Sequence, residues 1–140
     1  MLKIGVLGAG HLGKIHLKCI QLAFETYQLE GFYDPDPQAA QAVSENLGIS
    51  CFESAEALVD AVDVVDIVTP TIFHYEMAAL AIRKGKHVFI EKPLTHTLAE
   101  ADALVRLSNE QGVQVQVGHV ERFNPALLAL EDMALQPMFI

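Results

Sequence analysis

Leu2-Lys3-Ile4-Gly5-Val6-Leu7-Gly8-Ala9-Gly10-His11-Leu12-Gly13 is the stretch on which the fold turns. Leu2 to Leu7 is a short apolar run containing β-branched residues, and it reads as a buried strand. Gly8-Ala9-Gly10-His11-Leu12-Gly13 fits G-x-G-x-x-G, a weak pattern in isolation. Here it follows a strand and opens a helix. His11 to Phe24 places Leu12, Ile15, Cys19, Ile20 and Ala23 at helical spacing. The three glycines do different physical work. Gly8 permits the tight turn, Gly10 lets a diphosphate approach the backbone, and Gly13 lets the helix pack close to the sheet. The free N–H groups and positive end of the helix then face the phosphates, with His11 and Leu12 in the same turn.

A dinucleotide site of this kind needs an acid at the end of the second strand, about 20 residues on. Leu29 to Tyr33 reads as that strand, and Asp34 follows it. Its carboxylate can accept hydrogen bonds from both ribose hydroxyls and would repel a 2′-phosphate, and no Arg follows closely to offset it. The expected coenzyme is therefore NAD rather than NADP. The plainer role for Asp34 is to start the turn Asp34-Pro35-Asp36-Pro37.

Strands and helices continue to alternate along the chain. Gln38 to Leu47 reads as a helix stopped by Gly48, and Ile49 to Phe52 as a third strand. Ser54 caps a short helix, and Val64 to Val68 is a strand ending at Thr69-Pro70. Tyr75 to Arg83 is a helix, and His87 to Ile90 a strand ending at Glu91-Lys92-Pro93. Leu98 to Gln111 is a long helix capped by Thr95 or Thr97 and stopped at Gly112, with Val113 to Val117 as the sixth strand. Ala126 to Leu135 reads as a helix, Gln136-Pro137 ends it, and Met138 to Ile140 resembles an opening strand. The strands are almost continuously apolar, which indicates an α/β fold: a doubly wound parallel sheet of about six strands, covered on both faces. Its ligand crevice lies at the carboxyl ends of the strands. Residues 1–120 are expected to form this domain, and residues 121–140 a linker helix and the start of a further domain.

Two pairs at strand ends carry chemistry. Thr69-Pro70 turns the chain sharply and leaves room for a ribose unit, or is simply a strand-ending turn. Glu91-Lys92-Pro93 stands on the rim of the crevice. Lys92 there could serve as acid or base for a substrate hydroxyl, its pKa lowered by a neighbouring nicotinamide and partial burial. Glu91 could orient it or contact the nicotinamide ribose. The plain alternative is a solvated lysine beside a turn proline. Among the histidines, His16 suits packing of the loop, and His74 either contacts the coenzyme or caps its helix. His87 starts a strand and His96 sits in a loop, while His119 is the best placed for a substrate. His11 and His16 are five positions apart, the wrong spacing for two metal ligands on one helix face, and no metal site is expected.

Composition narrows the partners. Half of the 140 residues are apolar (51%), enough for one well-filled domain. A formal charge of −9 argues against nucleic acid or an anionic membrane, which reward clustered Lys and Arg. It leaves a phosphorylated ligand open, because backbone amides bind phosphate without lysine. No run approaches the roughly 20 apolar residues of a membrane span. The apolar start is too short for a signal peptide, so a cytoplasmic protein is expected. Cys19 and Cys51 read as buried free thiols.

The ordered set Gly8-x-Gly10-x-x-Gly13 with His16, Asp34-Pro35-Asp36-Pro37, Thr69-Pro70 with His74, Glu91-Lys92-Pro93, and Gly118 with Arg122-Phe123-Asn124-Pro125 resembles the Gfo/Idh/MocA family of oxidoreductases. The stretch His119 to Pro125 resembles the branch that includes bacterial UDP-N-acetylglucosamine 3-dehydrogenase-like enzymes. The resemblance implies an N-terminal Rossmann domain binding NAD or NADP, and oxidation or reduction of a sugar, nucleotide-sugar or cyclitol hydroxyl carbon. It implies a catalytic or substrate-positioning role for Lys92, a cis bond at Pro93, and a place near the nicotinamide for Arg122. It further implies a second domain that covers the substrate, supplies a catalytic group and commonly forms the oligomer contact. This fragment alone would then be inactive. A non-catalytic NAD-sensing module has no need of Lys92. A reductase of a non-sugar carbonyl or tetrapyrrole remains open, since substrate choice lies outside this stretch.

Overall fold

Five strands of the described residues pair side by side, all parallel. β1 (Leu2–Leu7) lies between β2 (Tyr27–Tyr33) and β3 (Val64–Ile67); β4 (His87–Ile90) and β5 (Val115–Val117) follow outward, giving the order β2-β1-β3-β4-β5. The intervening helices are α1 (His11–Leu22), α2 (Pro37–Leu47), α3 (Ala55–Ala61), α4 (His74–Arg83) and α5 (Leu98–Gln111), and a short α6 (Pro125–Leu128) follows the sheet. These elements belong to a computed structural model that describes residues 1–130. The expected helix end at Leu135, the Gln136-Pro137 stop and the strand at Met138 to Ile140 lie outside the described residues.

From β1 the chain winds first to β2 on one side, then to β3 on the other. That reversal opens a crevice beyond the carboxyl ends of β1 and β3. Helices cover both faces. Leu17 of α1 and Val43 of α2 pack with Ile4, Val6 and Phe32 on one face. On the other, Leu58, Ile82 and Leu104 from α3, α4 and α5 pack with Ile67 and Ile90. All of these side chains are buried, and each contributes roughly 1.5–3 kcal/mol relative to exposure.

The helix ends follow the sequence signals. Asp36 accepts from the amides of Gln38 and Ala39, and Ser54 from that of Ala57. Thr97, not Thr95, caps α5, with the Glu100 carboxylate accepting in return from the Thr97 amide. Gly48 and Gly112 close α2 and α5 in the left-handed conformation.

Two expectations are corrected. The run Ile49 to Phe52 makes a single bridge, Cys51 to Phe32, so among the described residues the sheet has five strands and not six. The left-handed Gly48 stands immediately before this run and the Ser54 cap shortly after it, so the chain has room for one pairing before it turns away. The second correction concerns the roll of α1. Its buried residues are Gly13, Leu17 and Ile20, while Leu12 and Ile15 are 40% and 44% exposed. A Cβ on Gly13 would stand 2.1 Å from the carbonyl oxygen of Gly8. That close approach sets the rotation of the helix and turns Cys19 outward. Both Cys19 and Cys51 are exposed rather than buried.

Gly13→Ala should therefore lower the unfolding free energy by roughly 1–3 kcal/mol, the usual cost of overpacking. Urea denaturation measures this, and an unchanged midpoint would show that α1 can lift away from β1 without penalty.

Candidate functional site

The glycine loop closes over the end of β1. Gly8 has φ +96°, and a Cβ there would lie 2.8 Å from the carbonyl oxygen of Val68, so the loop presses directly onto the end of β3. Gly10 differs: nothing lies within 4 Å of the Cβ it lacks. The amides of the first turn have no intrahelical partner, and α1 carries neither a side-chain cap nor an acid in that turn. Asp34 stands within the same loop. One carboxylate oxygen accepts from the Ala9 amide at 2.7 Å and the other from the Asp36 amide at 2.9 Å. Each oxygen keeps a second lone pair for another donor. The Thr69 backbone abuts Gly8, and its buried hydroxyl has no hydrogen-bond partner among the described residues.

These features fit a bound dinucleotide. The open side of Gly10 is where a diphosphate would reach the amides, and the remaining lone pairs of Asp34 would be available to a sugar hydroxyl. His11 and Leu12 are exposed in the first turn of α1.

His74 braces the crevice rather than facing it. The side chain is 1% exposed, with Nε2 2.9 Å from the carbonyl oxygen of Thr69 and Nδ1 2.9 Å from that of Pro93. Both partners accept only, so a ring bearing two N–H groups satisfies both and a neutral ring one at a time. This replaces the expected coenzyme contact or helix cap: the imidazole ties the Thr69-Pro70 turn to the Lys92-Pro93 turn, where the peptide bond is cis.

Lys92 points into solvent at the end of β4. It lines a cavity of about 620 Å³ with Gly118, His119, Glu121 and Arg122. Among the described residues, no carboxylate lies within ion-pair distance of its amine. Lys92 is exposed in this domain, in contrast to the expected partial burial.

Under the same turn lies a cluster that sequence reading missed. His16 Nδ1 is 2.9 Å from Asp66 Oδ2, and Nε2 is 3.4 Å from Glu91 Oε1. Asp66 and Glu91 are 3% and 6% exposed. The hydrogen bond to Asp66, with the charges of Asp66 and Glu91, raises the His16 pKa above its ordinary value against the opposing effect of burial. Burial pushes the Asp66 carboxyl up, with His16 pulling the other way. Glu91 thus spends its carboxylate inward: Oε1 faces His16 and Oε2 accepts from the Lys92 amide at 3.1 Å. The available signal was Asp66 itself, a lone charge inside Val64-Val65-Asp66-Ile67-Val68, which needs a buried partner.

A parallel sheet with its glycine loop, acid and open first turn at the switch point defines a dinucleotide-binding domain of the Rossmann type. Residues 2–119 match the GFO_IDH_MocA model, an oxidoreductase family with an NAD-binding Rossmann fold. The chain belongs to that family. It is 39% identical over 131 residues to UDP-N-acetylglucosamine 3-dehydrogenase of Acidithiobacillus ferrooxidans, covering 94% of this chain and 41% of that protein. The structure of that enzyme superposes with a TM-score of 0.84 over 92% of this chain and 42% of that one. The scyllo-inositol 2-dehydrogenase (NAD(+)) of Bacillus subtilis is also 39% identical, over 127 residues, covering 89% of this chain and 37% of the relative. A scyllo-inositol dehydrogenase of Lactobacillus casei, solved with NAD(H) and scyllo-inositol, matches at 28% identity and a TM-score of 0.84, covering 92% and 39% of the two chains. The chain thus spans about two fifths of the length of these relatives. Among the described residues no helix is long and apolar enough to cross a membrane.

The His16 shift has a thermodynamic sign. A pKa raised on folding gives stability that is fully present below the unfolded value of about 6.5 and is lost as pH rises through the folded one. Urea midpoints should therefore fall as pH climbs above about 6.5. Asp66→Asn, which removes the main cause of the shift, should flatten that decline. An equal slope in the variant would assign the pH dependence to other groups.

Proposed function

We propose that this chain is the coenzyme-binding part of an NAD-dependent dehydrogenase acting on a hydroxyl carbon of a sugar, nucleotide sugar or cyclitol. The observation that carries the reading is the placement of Lys92. Its amine, without an ion-pair partner among the described residues, lines a cavity at the same end of the sheet as the glycine loop and Asp34. Binding alone has no use for such an amine. A carbinol losing hydride also loses its hydroxyl proton, and Lys92 is the group placed to take it. Bound coenzyme supplies the two-electron acceptor.

The residues divide the remaining work. Gly8, Gly10, His11, Leu12 and Gly13 hold the diphosphate through backbone amides, and Asp34 holds the adenosine ribose. Thr69-Pro70 borders the second ribose, and Arg122 and His119 stand with Lys92 on the substrate side. Glu91 supports Lys92 from beneath. The relatives' greater length supports a substrate-covering portion of the whole protein, separate from the coenzyme domain. Similarity to dehydrogenases of scyllo-inositol and of UDP-N-acetylglucosamine supports a polyhydroxylated substrate. Asp34 favours NAD, since its carboxylate stands where a 2′-phosphate would need room and positive charge.

Two measurements test the reading. NAD at a hundredfold excess over Kd should stabilise the protein by about 2.7 kcal/mol. NADP at the same concentration should raise the melting temperature less, and Asp34→Ala should narrow the difference. Equal shifts in the wild type would remove the ribose role. In the intact protein, Lys92→Ala should lower kcat by about 10²-fold or more, the scale of general acid–base assistance, with NAD affinity nearly unchanged. Undiminished turnover would return Lys92 to an ordinary surface lysine.

A further inference from the structure

We propose that His16 and Asp66 are positioning residues for Lys92, acting through the carboxylate of Glu91. This rests on the reading of Lys92 as the acid–base group, which neither histidine nor aspartate touches directly.

Four elements converge on the His16–Glu91 contact. α1 brings His16 Nε2 to 3.4 Å from Oε1, and β3 supplies Asp66 to anchor the other ring nitrogen at 2.9 Å. Phe89 of β4 meets the imidazole edge-on, with centroids 6.0 Å apart at 62°. The backbone after β5 closes in at Gly118, where a Cβ would lie 2.8 Å from Oε1. The other oxygen, Oε2, accepts from the Lys92 amide at 3.1 Å. A continuous path therefore runs Asp66, His16, Glu91, Lys92 backbone. His74 holds the next residue from the far side through the Pro93 carbonyl. Each group up to the Lys92 backbone thus has a partner in the path, whereas the Lys92 amine has no ion-pair partner among the described residues.

Burial energetics argue that this path is more than packing. Three ionisable groups beneath a turn are costly to desolvate, and apolar side chains of similar volume commonly stabilise as well or better. What the polar set offers is direction. Acid–base transfer tolerates little displacement, and a shift near 1 Å can cost about a hundredfold in rate.

The same path makes the Lys92 backbone sensitive to the charge on His16. Asp66 from β3 and Glu91 from the end of β4 are the titratable groups that face the ring, and Phe89 faces it as an apolar edge. A protonated ring can donate to one oxygen of each carboxylate, Asp66 Oδ2 and Glu91 Oε1. Loss of its proton releases one of them, and the Glu91 carboxylate is the more loosely held, at 3.4 Å against 2.9 Å.

The decisive measurement needs no substrate. In the intact protein, NMR should show the Lys92 amide resonance titrating with the same midpoint as the His16 ring carbons. Asp66→Asn should move both midpoints down together. A Lys92 amide that stays flat while His16 titrates would overturn the proposal. Turnover supplies the second arm, with scyllo-inositol and UDP-N-acetylglucosamine as probe substrates. His16→Gln should lower kcat at least tenfold and alter its pH profile, with the NAD Kd changed less than twofold. An unchanged kcat and profile would overturn the positioning role. If the wild type oxidises neither probe, the substrate reading fails, and the amide titration still decides the His16 path.

Discussion

The carbonyl of Gly8 and the α-carbon of Gly13 are so close that no side chain fits between them, and the rest of the site depends on that contact. It seats α1 against the end of β1 and sets its roll. Leu17 and Ile20 then enter the core, and the first-turn amides open onto the crevice. The same roll carries His16 over Asp66 on β3 and sends Leu12, Ile15 and Cys19 outward. One steric constraint thus fixes both a binding loop and a buried charge cluster that it does not touch.

Much of this was legible in the residues. The strand and helix alternation follows from apolar runs and turn signals, and the capping side chains at Asp36, Ser54 and Thr97 are those that local chemistry favours. Asp34 was legible because the glycine motif demands an acid at that distance, and the carboxylate meets the Ala9 amide inside the loop. The roll of α1 was not. Counting apolar positions chose a face through Leu12, Ile15 and Cys19, whereas backbone contact at Gly13 decides which face lies inward. The single bridge at Cys51 was also hidden, because a short, mostly apolar run such as Ile49 to Phe52 looks the same whether it pairs once or throughout.

The histidines show the limit more sharply. His16 and His74 both lie beside recognisable motifs, and each bonds to groups far away in sequence. His16 reaches Asp66 and Glu91, and His74 reaches Pro93. Such pairings depend on strand register: Asp66 sits opposite Phe89 in the β3–β4 ladder, which places Glu91 one step further along on the same face. Register is a property of the folded sheet. A charge inside an apolar strand announces that a partner exists without saying which element brings it.

Charge is distributed to suit an anion on an acidic protein. With a formal charge of −9, the long-range field repels a dinucleotide. The crevice counters this with groups that carry no net charge: backbone amides and the positive end of α1. Such dipoles act at contact distance, where partial exclusion of water strengthens them, and they add nothing to the field farther out. Asp34 is tied to the Ala9 and Asp36 amides, and on the proposed reading its remaining lone pairs would meet a neutral sugar and not the phosphates. The flexible cations, Lys92 and Arg122, are kept at the other end of the crevice, beside the cavity. On the proposed reading, phosphate binding falls to the backbone amides, and Lys92 is left for proton chemistry instead of being neutralised by the ligand's own negative charge.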